Sequence, residues 1–350
     1  MSLQTYIYNN PFKLESGKQL RQLEIGYHTF GSLNEKRDNV IWVCHALTAN
    51  SDVLDWWPGL FGEKALFNPG EHFIVCANIL GSNYGTTNPL SVNPKNDEAY
   101  YLSFPEFTIR DVVKVHQLLA TYLQIEKIEI LIGGSLGGQQ AVEWAISEPE
   151  KMNSLIILAS NARHSPWGIA FNESQRLCLT ADPTFYQSQP NGGNAGLKAA
   201  RSIALLSYRS YQTYAVTQAE DDLQKKDSFN ASSYQNYQGQ KLVNRFNAYS
   251  YWYLTKVMDS HNVARNRNSF ENALGRIKAK TLVIAIASDV LFPPEEQRFL
   301  ARNIPGSSFA QVESLFGHDG FLIETEALSK IIQSFINQSF TEKSVLNYST

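Results

Sequence analysis

The sharpest chemical signal in the sequence is the glycine-rich run GGSLGG at residues 133–138. It follows the apolar segment 128–132, which predicts a buried strand, and it precedes LGGQQAVEWAIS, which predicts a helix. The pattern G-x-S-x-G between a strand and a helix is typical of a nucleophile elbow, a strained turn that exposes a serine. Glycines suit this turn because strand and helix approach too closely for side chains. We therefore predict Ser135 as a nucleophile, with a merely structural glycine-rich turn as the alternative.

A serine nucleophile needs a base, and the base needs an acid that orients it. In sites of this type the chain order is serine, then Asp or Glu, then His. His261 and His318 lie after Ser135 and beyond the start of the middle region of the chain. His261 falls in a helical segment, where a packing or surface role is expected. His318 lies in FGHDG after the last predicted strand, at the carboxyl edge of the sheet, so we predict it as the base. A loop histidine without a role is the alternative.

Asp289 directly follows the predicted strand 281–287, in the segment SDVLFPP. Glu295 and Glu296 are the other acidic residues near this end of the sheet, and their positions are typical of the first turn of a helix. We predict Asp289 as the acid that orients the base. A turn aspartate that precedes a helix is the alternative interpretation.

Acyl transfer also needs backbone N–H groups that stabilise a developing oxyanion. In elbows of this type the residue after the nucleophile, Leu136, supplies one N–H group. The segment HALTANSD at 45–52 follows a predicted strand, and we assign the second N–H group to its Leu47. His45 precedes the serine, so we assign it to this oxyanion loop and not to the role of base. Motifs for metal ligands and for nucleotide phosphates are absent from the sequence, which predicts no metal and no bound cofactor.

Short apolar runs without polar alternation must position these residues, and they predict strands buried on both faces of a parallel sheet. They lie at residues 39–45, 72–78, 128–134, 154–160 and 281–288. The segment 108–123 predicts an amphipathic helix, and Thr108 and Asp111 have the spacing of a capping box. The alternation of strands and helices predicts the α/β class, with a mostly parallel sheet and helices on both of its faces.

The strand signals stop near Ser165 and return near residue 278. The sequence therefore predicts an α/β core in two parts, residues 1–165 and 278–350, with a helical lid insertion at 166–277. Within the insertion, the polar stretch 217–240 predicts a loop and the segment 241–259 predicts a helix. A frayed tail is predicted for the last dozen residues.

Composition narrows the class of protein. The chain has 350 residues, of which 43% are hydrophobic and 18% charged, so a packed core is easily formed. The formal net charge of -3, from 30 basic and 33 acidic residues, argues against a nucleic-acid-binding protein. The apolar runs fall short of the ~18–20 residues that span a bilayer, and no secretory signal is visible. Cys44, Cys76 and Cys178 are predicted to be reduced thiols, so we predict a cytoplasmic enzyme.

Several segments together resemble, in order and spacing, the homoserine O-acetyltransferase family of the α/β-hydrolase superfamily. They are HALT, NILGSNYGTTNP, FTIRD, GGSLGGQQAVEWA, SPWGIAFNESQR, GLKAARSIALLSYRS, DVLFPPEEQ and FGHDGFLIE. The resemblance spans residues 5–340 and implies an α/β-hydrolase fold with an inserted lid. It implies acyl transfer from acyl-coenzyme A, a co-substrate, to the side-chain hydroxyl of homoserine early in methionine synthesis. It also implies a cytoplasmic homodimer joined through the lid helices.

The resemblance also implies site residues. Ser135, Asp289 and His318 would form the triad, while Arg201 and Asp319 would contact the amino-acid substrate. Homoserine is a zwitterion, so its carboxylate suits the forked donors of an arginine and its ammonium suits an anion. Alternative interpretations are a surface arginine on the apolar helix of Arg201 and a turn residue for Asp319. Tyr208 is a candidate for the same pocket, with a core or dimer-interface role as the alternative.

Some positions depart from the common sequence motifs of the family. Leu136 stands where Met is frequent, which leaves the acting backbone N–H unchanged. Asn83 and Asn88 stand where Cys and Gly are common, in a loop expected near the entrance of the active site. The choice between acetyl and succinyl donors, and between homoserine and serine acceptors, therefore stays open. An ester hydrolase with the same triad and a non-catalytic binding module are the alternatives from other classes.

Overall fold

The computed structural model describes residues 2–337 and 347–348. In these residues nine strands form one sheet: β1 (Gln4–Tyr8), β2 (Leu23–Phe30), β3 (Val40–Cys44), β4 (Phe73–Ala77), β5 (Ile128–Gly134), β6 (Met152–Leu158), β7 (Lys280–Ile286), β8 (Ser308–Val312) and β9 (Asn347–Tyr348). Their order in the sheet is β1-β2-β4-β3-β5-β6-β7-β8-β9. β2 pairs antiparallel with both β1 and β4, and all the other neighbours are parallel. Two small antiparallel ribbons lie outside it, Phe12–Lys13 with Gln19–Leu20 and Val92–Asn93 with Glu98–Ala99.

Twelve α-helices connect or extend these strands in the described part of the chain. They are α1 (Val53–Trp56), α2 (Ile109–Tyr122), α3 (Leu136–Ser147), α4 (Pro166–Ala181), α5 (Asn194–Tyr208), α6 (Tyr211–Thr217), α7 (Asn230–Val243), α8 (Ala248–Asp259), α9 (Phe270–Leu274), α10 (Pro294–Asn303), α11 (Gly320–Ile323) and α12 (Thr325–Ile336). Short 3-10 turns lie at Tyr101–Ser103, Pro183–Tyr186 and Gly317–Asp319. The predicted capping box of α2 is present, with the backbone N–H of Thr108 donating to Asp111 Oδ2 at 3.1 Å.

The sheet is buried on both faces because successive side chains of its central strands enter two different apolar clusters. On β3, Trp42 belongs to the cluster that includes α2 and α3, whereas Ile41 and Val43 belong to the cluster that includes α12. Trp42 and Trp144 of α3 meet edge to face, with ring centroids 5.0 Å apart. Helices therefore cover both faces of a mostly parallel sheet, which confirms the predicted fold class.

Between β6 and β7 the chain forms α4 to α9, and within the described residues this region adds no strand to the sheet. The predicted loop at 217–240 is wrong, because α7 begins at Asn230. Its sequence is nearly all polar and buries only Gly239 and Leu242, so it carries too little apolar periodicity to indicate a helix. The predicted helix 241–259 is also interrupted, because Asn247 caps a new helix by accepting a hydrogen bond from Ser250 N at 2.7 Å.

The predicted tail covers residues 339–350, which lie outside the described residues except for β9. That strand pairs in parallel with β8. None of the three cysteines forms a disulfide. A search of residues 2–337 and 347–348 finds no helix with the length and apolarity needed to cross a membrane.

Candidate active site

Ser135 lies at the junction of β5 and α3 in a conformation that non-glycine residues rarely adopt, with φ 57° and ψ -126°. Two hydrogen bonds hold this turn: Ser135 N donates to the carbonyl oxygen of Leu158 at 3.0 Å, and Ser160 Oγ donates to Ser135 O at 2.8 Å. Both partners belong to β6 or follow it. The neighbouring strand therefore helps to fix the strained turn that presents the serine.

The glycines around Ser135 are required by close backbone approaches. A Cβ atom at Gly133 would lie 2.3 Å from the carbonyl oxygen of Gly137. A Cβ atom at Gly137 would lie 2.0 Å from the carbonyl oxygen of Cys44, at the end of β3. Side chains at these positions would push α3 away from β5 and from the loop that follows β3.

His318 connects Ser135 to Asp289 through two hydrogen bonds. Its Nε2 lies 2.9 Å from Ser135 Oγ, and its Nδ1 lies 2.6 Å from Asp289 Oδ2. The other carboxylate oxygen of Asp289 accepts hydrogen bonds from the backbone N–H groups of Leu291 and Phe292 at 2.8 and 2.9 Å. With Nδ1–H donating to the carboxylate, the free lone pair of Nε2 faces the hydroxyl. This arrangement can remove a proton from Ser135.

The environment of His318 makes it a stronger base. Burial disfavours its charged form, but the negative charge of Asp289 and the hydrogen bond to it outweigh this effect. The pKa of His318 is therefore raised above its usual value. Ser135 and His318 are only 6% and 3% exposed, so this hydrogen-bonded pair is largely shielded from bulk water.

The residues considered as alternatives have other partners. Glu296 Oε2 accepts a hydrogen bond from Asn161 Nδ2 at 2.8 Å, and burial raises the pKa of Glu296 to about 6. Glu295 lies on the first turn of α10 with Glu296. His261 Nε2 donates to the carbonyl oxygen of Asn161 at 3.1 Å, and burial lowers the pKa of His261 to about 3. The ring of His318 is hydrogen-bonded to Asp289 and not to Glu295, Glu296 or His261.

The two predicted oxyanion-hole residues keep their backbone N–H groups free. In the described part of the chain, neither Leu47 N nor Leu136 N donates a hydrogen bond to a protein acceptor. A side-chain amide of Gln140 spans the two segments, donating to His45 O and to Leu136 O at 3.1 Å each. Gln140 was not singled out by the sequence, because Gln139 and Glu143 on the same helix are polar as well and nothing in the local pattern distinguishes it.

His45 has a structural role in the loop that follows β3. Its Nδ1 donates to the carbonyl oxygen of Ala46 at 2.8 Å, while its Nε2 accepts from Ile79 N at 3.1 Å. Burial lowers the pKa of His45 to about 4, so the ring is neutral near pH 7. The ring thereby ties the segment after β3 to the segment after β4.

Ser135 and His318 line a cavity of about 500 Å³. All three predicted substrate-binding residues line this cavity, together with Leu47; they are Arg201, Tyr208 and Asp319. The guanidinium carbon of Arg201 lies 5.2 Å from the ring centroid of Tyr208. The ring centroid of Tyr208 lies 5.9 Å from that of His318. The cation of Arg201 and the carboxylate of Asp319 therefore share one cavity with Ser135.

Three further cations near the cavity were not predicted. Arg209 Nε lies 3.1 Å from Asp319 Oδ2, and its motif, AARSIALLSYRS, also contains Arg201. Burial raises the pKa of Asp319, although the charges of Arg209 and Arg201 oppose that rise. Lys241 and Arg245 line the cavity from the end of α7 and the loop after it. Among the described residues, no group of three His, Cys, Asp or Glu side chains is placed to hold a metal ion.

Comparison with known proteins agrees with this architecture. A family model described as the alpha/beta hydrolase fold matches residues 39–325. Among solved structures, a homoserine O-acetyltransferase from Bacillus anthracis superposes with a TM-score of 0.88 at 22% identity, covering 99% of each chain. An acetylester hydrolase from Corynebacterium glutamicum superposes with a TM-score of 0.85 at 23% identity, covering 96% of each chain. At these identities the two structures support the fold alone.

Curated relatives show the family to which the chain belongs. A homoserine O-acetyltransferase from Cyclobacterium marinum is 47% identical over 335 residues, which cover 96% of this chain and 95% of the relative. One from Nostoc punctiforme is 43% identical over 343 residues, covering 94% of this chain and 95% of the relative. Both matches run over nearly the whole length of this chain and of the relative. The chain belongs to the homoserine O-acetyltransferase family of enzymes with the α/β-hydrolase fold.

Proposed function

We propose that this enzyme transfers an acetyl group from acetyl-coenzyme A to the side-chain hydroxyl of L-homoserine. The observation that carries the proposal is the hydrogen-bonded set Ser135–His318–Asp289 in one cavity with Arg201 and Asp319. The first three residues provide a nucleophile and its base. The last two offer one cation and one anion, the charges that complement an amino acid. The names of the relatives support the same reaction.

In the first half-reaction, Ser135 Oγ attacks the carbonyl carbon of the thioester while His318 Nε2 takes the hydroxyl proton. The backbone N–H groups of Leu47 and Leu136 stabilise the oxyanion. The C–S bond then breaks, and His318 returns the proton to the leaving thiolate. Coenzyme A departs as a thiol and the acetyl group remains on Ser135 as an ester.

In the second half-reaction, His318 removes the proton from the homoserine hydroxyl, whose oxygen attacks the acetyl ester. Arg201 binds the carboxylate of the amino acid and Asp319 binds its ammonium group. Tyr208 lines the cavity beside both groups, with its ring next to the guanidinium of Arg201 and to the ring of His318. Breakdown of the tetrahedral intermediate returns the proton to Ser135. The product is O-acetylhomoserine, an intermediate for methionine synthesis.

Hydrolysis of the acyl-enzyme by water is the second candidate reaction, because an acetylester hydrolase has the same fold. Shielding of Ser135 and His318 from solvent favours transfer, since water otherwise competes at a far higher concentration than an amino acid. Acetyl- and succinyl-coenzyme A are to be combined with homoserine, serine or water, and released thiol measured. We expect thiol release with acetyl-coenzyme A and homoserine to exceed all other combinations. Fastest release with water alone would establish the hydrolase.

We also propose that the enzyme is a homodimer joined through the insertion. Large apolar side chains of this region are solvent-exposed in the single chain, including Tyr211 at 84% and Leu223 at 91% exposure. Val216 and Tyr237 are exposed as well. Aromatic residues are enriched at protein interfaces, so we expect a second copy of the chain to bury this apolar surface. A cytoplasmic location, with neither nucleic acid nor membrane as a partner, stays a prediction.

A further inference from the structure

We propose that Lys241 and Arg245 form a subsite for the phosphate groups of the acyl donor, at the outer end of the active-site cavity. This inference rests on the proposed function, because it assigns to that function a donor with a phosphorylated, nucleotide-bearing half. Lys241 lies in the last turn of α7 and Arg245 lies just beyond that helix.

The direction of the cavity places these two cations at its mouth. Ser135, His318, Lys241 and Arg245 all line the same cavity. The first two are buried, whereas Lys241 and Arg245 are exposed. The cavity therefore runs from the reacting pair outward to the two cations. A donor whose thioester lies at Ser135 must extend its remaining length in that direction.

Neither cation has a carboxylate partner among the described residues. The guanidinium of Arg245 donates only to neutral acceptors: its Nη1 to Thr48 O at 2.5 Å and to Tyr84 Oη at 2.7 Å. A longer contact joins its Nη2 to Thr48 Oγ1 at 3.4 Å. These bonds fix the orientation of the guanidinium and leave its charge uncompensated. Lys241 lines the cavity and makes no ion pair within the described residues.

The carboxylates of the same cavity do not neutralise the pair. Asp319 forms its ion pair with Arg209. Asp55 is the other carboxylate on the wall, and it forms no ion pair with Lys241 or Arg245. The outer wall thus presents two free positive charges, which suit phosphate groups better than any neutral part of a thioester.

Arg245 also links the proposed subsite to the oxyanion loop. Its acceptor Thr48 directly follows Leu47, whose free N–H faces the developing oxyanion in the proposed mechanism. A donor held through its phosphates at Arg245 would therefore be bound by a side chain that is itself hydrogen-bonded to the residue after Leu47. An arginine that only braces this loop is the alternative, and it predicts a different result for a donor without phosphates.

The test compares two thioesters on the purified enzyme, acetyl-coenzyme A and the phosphate-free S-acetyl-pantetheine, with homoserine as acceptor. The variants are Lys241→Gln, Arg245→Gln and Arg245→Lys, and Lys64→Gln is the matched control for loss of an exposed cation. We expect Lys241→Gln and Arg245→Gln each to lower kcat/KM for acetyl-coenzyme A about 10-fold at low salt. The value for S-acetyl-pantetheine should be unchanged. The difference should shrink as ionic strength rises, because exposed charges are screened.

Arg245→Lys should restore part of the loss, since it retains the charge without the planar fork. Equal losses with both thioesters, or no loss with either, would overturn the proposal. In particular, an Arg245→Gln enzyme that is slow with both donors, beside a normal Lys241→Gln enzyme, would establish Arg245 as a brace of the oxyanion loop. Failure of the proposed function is separate, because the wild-type enzyme would then acetylate homoserine from neither donor.

Discussion

The guanidinium Nε of Arg209 lies 3.1 Å from Oδ2 of Asp319, which joins the insertion to the loop of His318. The N–H is not aligned for a hydrogen bond, so the contact is an ion pair. Two hydroxyl groups strengthen the same junction, because Ser210 and Thr213 both donate to the carbonyl oxygen of Leu315. The helices that carry the proposed acceptor site therefore also hold the histidine loop in place.

This ion pair predicts a positioning role for Arg209. Without the guanidinium, the carboxylate of Asp319 loses a counter-charge and its fixed orientation, so it should bind the ammonium group of homoserine less well. We expect Arg209→Gln to raise KM for homoserine about 10-fold, equivalent to about 1.4 kcal/mol. Formation of the acetyl-enzyme should be unchanged, and Arg209→Lys should restore part of the affinity. A merely structural role would instead slow both half-reactions, which rapid mixing with acetyl-coenzyme A alone can measure.

The raised pKa of His318 predicts the pH dependence of acylation. His318 must be unprotonated to accept the proton of Ser135, so the rate should fall as the pH drops through the pKa of His318. Since Asp289 raises this pKa, the midpoint of the acid limb should lie above the ordinary histidine value of about 6.5. The measurement is the single-turnover rate of thiol release against pH. A midpoint well below the ordinary value would contradict the assigned environment.

Substitution of the carboxylate tests the same hydrogen bond. Asp289→Asn removes the negative charge and favours the wrong tautomer of His318, so we expect kcat to fall by roughly 10⁴-fold. The remaining acid limb should move to lower pH, because the group that raises the pKa is gone. Glu295→Gln is the matched control, since Glu295 lies on the exposed first turn of α10. Activity of Asp289→Asn within a few-fold of the wild type would exclude the proposed triad.

The sequence indicated the three residues of the proposed triad because each follows the carboxyl end of a strand of the sheet. Ser135 follows β5, Asp289 follows β7 and His318 follows β8, and strand order fixes where such ends meet. The cations of the insertion gave no comparable signal. Whether Arg209 or Lys241 turns toward the cavity depends on how helices pack on each other, which the local pattern does not specify. The polar helix α7 was missed for a different reason, because its sequence has too little apolar periodicity to indicate a helix.

The exposed apolar surface of the insertion predicts the oligomeric state. We expect light scattering at micromolar concentration to give twice the monomer mass of 39.4 kDa. A Tyr211→Glu and Val216→Glu double variant should be monomeric at that concentration, because it places two charges in the buried contact. Val92→Glu, at an exposed apolar position outside the insertion, is the control and should remain dimeric. A monomeric wild type would refute the proposed assembly.

Arg201 provides the sharpest test of acceptor recognition, because its proposed role belongs to one half-reaction only. It lies on α5 in the same cavity as Ser135 and packs against the ring of Tyr208. Truncating one partner of a charged pair in a closed site costs on the order of 2–5 kcal/mol. The acyl donor does not use this contact, so Arg201→Ala should still form the acetyl-enzyme and release one equivalent of coenzyme A. It should then stall, with a sharply raised KM for homoserine.

Arg201→Lys should recover only part of the activity, because an ammonium group lacks the planar fork that matches a carboxylate. Mass spectrometry of the stalled enzyme should locate the acetyl group on Ser135, and Ser135→Ala should carry none. The initial-rate lines of the wild type should be parallel, as expected for two sequential half-reactions with a covalent intermediate. Normal turnover of homoserine by Arg201→Ala would leave Arg201 as a surface side chain. If Arg201→Ala instead failed to form the acetyl-enzyme, Arg201 would act on the acyl donor and not on the acceptor.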